Sequence, residues 1–150
     1  MARFVAAGAG FLLAVLWFDL MHDVQVVGHR AGLLPEPVLE SIARYYRRVT
    51  TDARPMNRLV ALSMVATLTA IVVEITRHDA PTWAAWTSLA LAAAPISVGA
   101  GHTFRAAVRL GTRNENLEGQ SDLARSIFRD HVFCLGSIAA LLVVQLAFAG

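Results

Sequence analysis

The sequence predicts an all-α fold: a four-transmembrane-helix bundle with a short cytoplasmic amphipathic helix between helices 1 and 2. Four apolar stretches carry this prediction, at residues 3–22, 58–77, 82–104 and 131–149. Each is close to the roughly 20 residues that a helix needs to cross a bilayer core of about 30 Å. Composition agrees, because 56% of the residues are hydrophobic, only 16% are charged and the mean hydropathy is +0.53. We therefore expect one integral membrane domain over residues 1–150.

The distribution of arginine predicts the orientation of these helices. The chain has 13 arginines and no lysine. Eleven of the arginines lie in or beside the two long loops, residues 23–57 and 105–130, and only Arg3 and Arg77 lie on the opposite side. Because basic residues in short loops stay in the cytoplasm, both long loops are expected there and both termini outside. This pattern predicts a multi-pass protein of the cell inner (plasma) membrane.

Two features exclude other classes. The apolar run after Arg3 resembles a secretory signal, but bulky and charged residues follow it instead of a small-residue cleavage site, so we expect this helix to be retained. Cys134 is the only cysteine, which excludes an intramolecular disulfide and the membrane thiol-disulfide oxidoreductases.

Both long loops are expected to contain helix. In the first, Pro35 and Pro37 mark a helix start, followed by apolar residues at helical spacing opposite arginines. That helix either lies on the inner leaflet or folds over the mouth of the bundle, with the same face buried in each case. In the second loop, Ser121 and Asp122 are expected to cap a helix that continues into the fourth span.

Ionisable residues gather at the inner end of the predicted bundle. One stripe on the first helix contains Asp19, His22, Asp23 and His29, and a second on the third helix contains His102, Arg105 and Arg109. Asp130 and His131 begin the fourth helix, and Arg54, Asn57 and Arg58 begin the second. Ionisable groups at membrane depth usually face the bundle interior and mark a functional path.

These residues predict a site for proton transfer on a lipophilic molecule. We take Asp19, His22, His102 and His131 as candidate catalytic residues, and Arg54, Arg105 and Arg109 as candidate substrate-binding residues. Histidine moves protons near neutral pH, and arginine holds anionic oxygen. Asp19 needs a compensating partner, for which His22, His102, Arg54, Arg105 and Arg109 are the candidates, and a purely structural clamp is an open alternative. Expected apolar walls are Leu16, Leu20, Val98 and Leu135.

The sequence does not specify a cofactor. Asp19 with His22 or Asp23, joined by His102 and His131, would give a mixed nitrogen and oxygen set suited to iron, zinc or manganese. No Glu-x-x-His pair recurs on two helices as in di-iron bundles, so the metal stays unknown. Nucleic acid is not an expected partner, because membrane topology accounts for the basic charge. On the outer side, Glu74 is expected to pair with Arg77.

The second half of the chain resembles a known family. The turn Arg113-Asn114-Glu115-Asn116-Leu117 and the helix that enters the membrane through Arg125, Arg129 and His131 are similar to the anthrone-oxygenase-like family of small four-helix membrane proteins. In that family an Asn-x-x-Leu element precedes a final helix with a histidine. The resemblance covers mainly residues 95–145. It implies that Asn116 and His131 belong to a site that admits a flat lipophilic substrate from the membrane.

Three hypotheses about function follow. The first is a membrane enzyme, oxygenase-like or proton-transferring, with a lipophilic small molecule as substrate. The second is an accessory subunit or scaffold, held by a membrane-protein partner or a second copy, in which the polar layer only locks helices together. The third is a small transporter, although no helix looks broken and repeated. A bound ligand would favour the first hypothesis, and a stable partner without ligand the second.

Overall fold

The structure, a computed structural model, describes residues 1–29 and 32–148, and describes only the backbone of Arg54. In its described part every regular element is a helix, and there is no β-strand. The α-helices are α1 (Ala2–Asp23), α2 (Glu36–Arg47), α3 (Arg54–Arg77), α4 (Thr82–Val98), α5 (Phe104–Thr112) and α6 (Leu117–Phe148). A 3-10 segment, Val24–His29, extends α1. One π-helical segment, Arg48–Asp52, follows α2, and another, Gly99–Thr103, joins α4 to α5.

Four helical segments are long and apolar enough to cross a membrane. They are Ala2–His29, Pro55–Arg77, Thr82–Thr112 and Leu117–Phe148. Large apolar side chains cover the outside of the bundle, including Leu62, Val143 and Leu146, which are 64%, 62% and 69% exposed. Exposed apolar surface of this extent is typical of a protein that contacts membrane. The prediction of an all-α fold with four apolar helices of spanning length is confirmed.

The third apolar helix is longer than predicted, whereas the fourth continues from the loop helix into the apolar stretch as predicted and begins four residues before Ser121. The third continues to Thr112 and not only to residue 104, because the π-helical segment adds an extra residue to the turn without ending the helix. The fourth starts at Leu117, fourteen positions before residue 131. Hydropathy misses both extensions because their buried faces are narrow and their outer faces are polar. At about 1.5 Å per residue, α6 is roughly 48 Å long and exceeds the bilayer core.

The start of α6 also differs from the prediction. Ser121 does not cap this helix; its hydroxyl donates to the carbonyl of Leu117 at 2.7 Å and accepts the Leu34 amide at 3.0 Å. Asn116 lies before the helix instead, where its side-chain oxygen accepts the Gly119 amide at 2.8 Å. An asparagine oxygen bonded to the third helical amide is a common N-cap.

Two apolar clusters form the interior. The membrane cluster contains Val5, Ala9, Leu12, Ala70, Ile71, Ala92, Ile138 and Leu141, and it joins α1, α3, α4 and α6. The loop cluster contains Val26, Leu34, Leu39, Ile42, Ala43, Tyr46, Ala106, Ala107, Leu110, Ala124 and Ile127. Along both α1 and α6, polar residues separate the two clusters: Asp19 and Asp23 on α1, and His131 on α6.

Helix α2 folds against the loop end of the bundle. Its buried face belongs to the loop cluster and contacts α5 and α6, while Glu40, Arg44 and Arg47 remain exposed. The approach to α5 is close, because a Cβ at Gly111 would lie only 2.9 Å from the Arg47 backbone nitrogen. Between α2 and α5, Arg113 donates to Glu36 at 2.6 Å. These contacts place the two tyrosines of α2 beside the C-terminal end of α1.

Candidate functional site

Five side chains from three helices form a polar cluster where the two apolar clusters meet. We call it the inner cluster, and its members are Asp19 and Asp23 of α1, Tyr45 and Tyr46 of α2, and His131 of α6. Asp19 and Asp23 are four residues apart, so one turn of α1 presents both carboxylates to the same neighbours. The pairing of α1 with α6 brings His131 to this turn.

Asp23 is the centre of the inner cluster. It is fully buried, and its two oxygens accept different donors. The Tyr46 hydroxyl donates to Oδ1 at 2.6 Å, and Nδ1 of His131 lies 2.7 Å from Oδ2. An ionised Asp23 therefore fixes the imidazole tautomer with its proton on Nδ1. In that tautomer Nε2 is the basic nitrogen.

Asp19 lies on the other side of the same imidazole. Its Oδ2 is 3.9 Å from Nε2 of His131, and its Oδ1 accepts the Tyr45 hydroxyl at 2.6 Å. His131 thus lies between two carboxylates, each of which also has a tyrosine donor. Two carboxylates and one imidazole therefore share one buried place, where each polar group needs a partner because an unsatisfied buried group is costly.

Both tyrosines stay protonated and act as donors. Burial, reinforced by the negative charge of Asp19, raises the pKa of Tyr45, and burial reinforced by Asp23 raises the pKa of Tyr46. In the unfolded chain both phenols ionise near pH 10. Because the folded pKa values are higher, this contribution to stability is complete below about pH 10 and is lost as the pH rises beyond it.

Of the other predicted catalytic residues, His22 joins the inner cluster through an aromatic contact. Its ring stacks on Tyr45 with centroids 3.8 Å apart and planes inclined by 9°. Its Nδ1 lies 3.1 Å from the Phe18 carbonyl, within its own helix. His22 therefore supports the position of Tyr45 and has no hydrogen bond to the carboxylates in the described part of the chain.

His102 lies apart from the inner cluster. It is exposed, and its Nδ1 is 2.7 Å from Oδ2 of Asp130, which also accepts the Thr103 hydroxyl at 2.8 Å. The structure therefore brings His22 and His131 into one group and leaves His102 in a separate surface pair.

The predicted substrate-binding residues do not meet at the inner cluster. Arg109 is exposed and pairs with Glu115 at 2.5 Å, Asn116 caps α6, and Arg105 is exposed with no hydrogen bond to the described residues. The side chain of Arg54 lies outside the described residues, as does Arg30. The expectation that His102, Arg105 or Arg109 compensates Asp19 is wrong, because the outward face of the third helix carries all three.

An open cleft of about 920 Å³ lies at the same end of the molecule. Its lining combines apolar and basic side chains: Val26, Val27, Arg109, Gly119, Asp122, Leu123, Arg125, Ser126, Phe128 and Arg129. The expected wall residues Leu16, Leu20, Val98 and Leu135 do not line it and are half-buried in the bundle. The cleft runs beside α6, one helical turn from His131.

The sequence analysis does not predict that Tyr45 and Tyr46 donate hydrogen bonds to the two aspartates. Both tyrosines fall among the apolar residues that recur at helical spacing in α2, and the available signal is that a buried phenol usually finds a hydrogen-bond partner. The sequence analysis also misassigned Glu74, and the expected pair with Arg77 is wrong. Glu74 is 1% exposed and accepts a hydrogen bond from Gln145, because its side chain points into the bundle.

Within residues 1–29 and 32–148, no three His, Cys, Asp or Glu side chains are arranged to hold a metal ion. Comparison of the chain with protein-family models, curated proteins and solved structures finds no match. The chemistry of the site is therefore derived from its own residues.

A double-mutant cycle tests the coupling of Asp23 and His131. Asp23→Asn or His131→Gln alone leaves a buried partner unsatisfied, so the two losses of unfolding free energy should overlap by about 1–3 kcal/mol. The matched control is Asp130→Asn with His102→Gln, where the histidine is 58% exposed and the coupling should stay below about 1 kcal/mol. Both cycles are measured by unfolding in mild detergent. Additive losses for the buried pair would contradict the geometry.

Proposed function

We propose that the protein is a multi-pass protein of the inner (plasma) membrane with both termini outside. Its two ends differ in charge, which supports this orientation. The Met1 ammonium lies 3.5 Å from Asp79, and Trp83 contacts Phe148 with ring centroids 4.9 Å apart. Both termini and the turn between α3 and α4 therefore share one end, which carries two of the 13 arginines. The arginine-rich opposite end, with α2, is proposed to face the cytoplasm.

Cysteine accessibility tests this orientation. In a Cys134→Ala background, single cysteines at Thr51 and Glu118 should react with a membrane-impermeant maleimide only after the membrane is opened. A cysteine at Asp79 should react in intact cells. All three positions are exposed in the fold, so a failure to react reports the membrane and not burial. Labelling of Thr51 and Asp79 from the same side would rule out the proposed topology.

We propose that the inner cluster transfers protons to and from a lipophilic substrate, which makes the protein a membrane enzyme. The observation that carries this proposal is the position of His131 between Asp23 and Asp19. Asp23 orients the ring through Nδ1 and leaves Nε2 as the base, the arrangement by which a carboxylate prepares a histidine for proton transfer. Asp19, whose other oxygen accepts the Tyr45 hydroxyl, faces that same nitrogen and supplies the acid side.

The cleft supports the choice of substrate class. Its apolar side chains, among them Val26, Leu123 and Phe128, suit a hydrophobic body, and Arg125 and Arg129 suit an anionic or carbonyl oxygen. Val26 follows Asp23 by less than one turn, and Arg129 precedes His131 by two residues. A molecule in the cleft therefore lies against the backbone segments that carry the inner cluster. We infer that small movements of the 3-10 segment would connect the two.

The resemblance to the anthrone-oxygenase-like family enters the proposal at one residue. The histidine that the resemblance assigns to the final helix is His131, the same residue on which the inner cluster converges. This coincidence supports a catalytic His131 and an oxygenase-like or related chemistry on a flat lipophilic molecule. Asn116, the other residue that the resemblance implies, is proposed to act only by fixing the start of α6.

A second function, that of an accessory subunit or scaffold, is favoured by one observation. Both aspartates accept a tyrosine hydroxyl, and Asp23 also holds His131. A hydrogen-bonded network of this kind can simply lock α1, α2 and α6 together and fix the surface that a partner subunit recognises.

Deuterium exchange distinguishes the two functions. The protein in lipid nanodiscs is incubated in D₂O with total membrane lipid extract, and the extracted lipophiles are examined by mass spectrometry. Proton transfer predicts deuterium in one lipophile with wild type and with His102→Gln, and a rate lowered by about 10²–10⁴ with His131→Gln. The scaffold function predicts the same isotope pattern for all three proteins, with a loss of thermal stability only in His131→Gln. That second result would overturn the enzyme proposal.

A further inference from the structure

A second group of polar side chains is buried in the other half of the bundle. Glu74 of α3, Ser88 of α4 and Gln145 of α6 are 1%, 0% and 1% exposed. The amide nitrogen of Gln145 donates to Oε1 of Glu74 at 3.1 Å and to Oγ of Ser88 at 2.9 Å. Three helices therefore contribute to a single contact, which we call the outer cluster.

The outer cluster has too few donors. Both hydrogens of the Gln145 amide are used by the two bonds above. Oε2 of Glu74 and Oε1 of Gln145 are buried and have no hydrogen-bond partner in the described part of the chain. Both atoms accept and do not donate while Glu74 is ionised, so neither satisfies the other. Buried acceptors of this kind require a donor or a positive charge.

The neighbouring helices supply no such charge within the described residues. Helix α4 has no ionisable residue, and α6 has none beyond Cys134. At this end of α1 the Met1 ammonium is paired with Asp79, and Arg3 is exposed. After Glu74 on its own chain segment, Arg77 and His78 are exposed as well. An ionised Glu74 would therefore be an uncompensated buried charge.

We propose that Glu74, Gln145 and Ser88 form a binding site for one small monovalent cation, H⁺ or Na⁺. A proton on Oε2 of Glu74 neutralises the carboxyl group and creates the missing donor for Oε1 of Gln145. A sodium ion would balance the same single charge. Its ligands would be Oε2 of Glu74, Oε1 of Gln145 and the hydroxyl oxygen of Ser88. Oxygen ligands of this kind suit a hard cation, and one carboxylate suits one positive charge.

The location of the outer cluster determines how the cation would exchange. Glu74 lies three residues before the end of α3, whereas Ile138 and Leu141 are buried on α6 between His131 and Gln145. This apolar segment separates the outer cluster from the inner one. The cation is therefore expected to enter from the end of the bundle that holds Met1 and Asp79.

A hydrophobic carbodiimide tests the site, because it forms a stable adduct only with a protonated carboxyl group in an apolar place. Wild type, Glu74→Gln and Asp79→Asn in lipid nanodiscs are treated with dicyclohexylcarbodiimide over a range of pH, and adducts are mapped by mass spectrometry. Each series is run in NaCl and in choline chloride at equal ionic strength, and the melting temperature is measured in parallel. Glu74→Gln keeps the shape and a donor for Gln145, and Asp79→Asn removes an exposed carboxyl group nearby.

An adduct at Glu74 in wild type and Asp79→Asn supports the site. If sodium suppresses the adduct or raises the melting temperature of wild type but not of Glu74→Gln, the occupant is Na⁺. An adduct that sodium does not affect identifies H⁺. The absence of an adduct on Glu74 at every pH, together with melting temperatures that sodium does not change, would overturn the proposal.

Discussion

The buried carboxylate of Asp23 is the constraint on which the inner end of this molecule depends. One oxygen holds Tyr46 and the other holds His131, so a single side chain connects α1 with α2 and α6. Tyr46 and His131 follow Asp23 by 23 and 108 residues in the sequence. Because the surrounding clusters are apolar, loss of either donor leaves one buried oxygen of Asp23 without a hydrogen-bond partner. This contact, together with the packing of α2 on α5, holds Tyr45 beside Asp19.

The bundle has buried polar groups at two depths and an apolar middle. Along α6 the buried positions run from His131 through Ile138 and Leu141 to Gln145. Polar contacts at both ends fix the register of the helices, and apolar packing fills the space between them. No buried polar side chain of α6 between His131 and Gln145 joins the two clusters within the described residues, so the clusters are separate along this helix.

The sequence alone was sufficient for the coarse architecture. Apolar runs of about 20 residues predict spanning helices because lipid excludes unsatisfied backbone. The same reasoning placed Asp19, Asp23 and His131 at one depth, because each interrupts or borders such a run. The sequence does not identify the hydrogen-bond partners of these three residues.

Hydropathy predicts the depth of a residue in the membrane but not the rotation of one helix against another. The π-helical segment Gly99–Thr103 also changes the direction in which every later residue of that helix points. That is why His102 and Arg105 were expected inside and are found outside. Glu74 was paired with its neighbour in sequence because Gln145 is 71 residues away.

Ionisation of the two tyrosines measures the inner cluster most directly. The chain contains only Tyr45 and Tyr46, so tyrosinate absorbance reports on no other residue. In the folded protein that absorbance should appear only well above pH 10, where free tyrosine ionises. After unfolding in denaturant, both tyrosines should ionise at about pH 10. In Asp23→Asn, one of the two tyrosines should ionise at lower pH than in wild type, because a neighbouring negative charge is gone. Ionisation of both tyrosines near pH 10 in folded wild type would show that they are not buried against Asp19 and Asp23, and would contradict the account of the inner cluster.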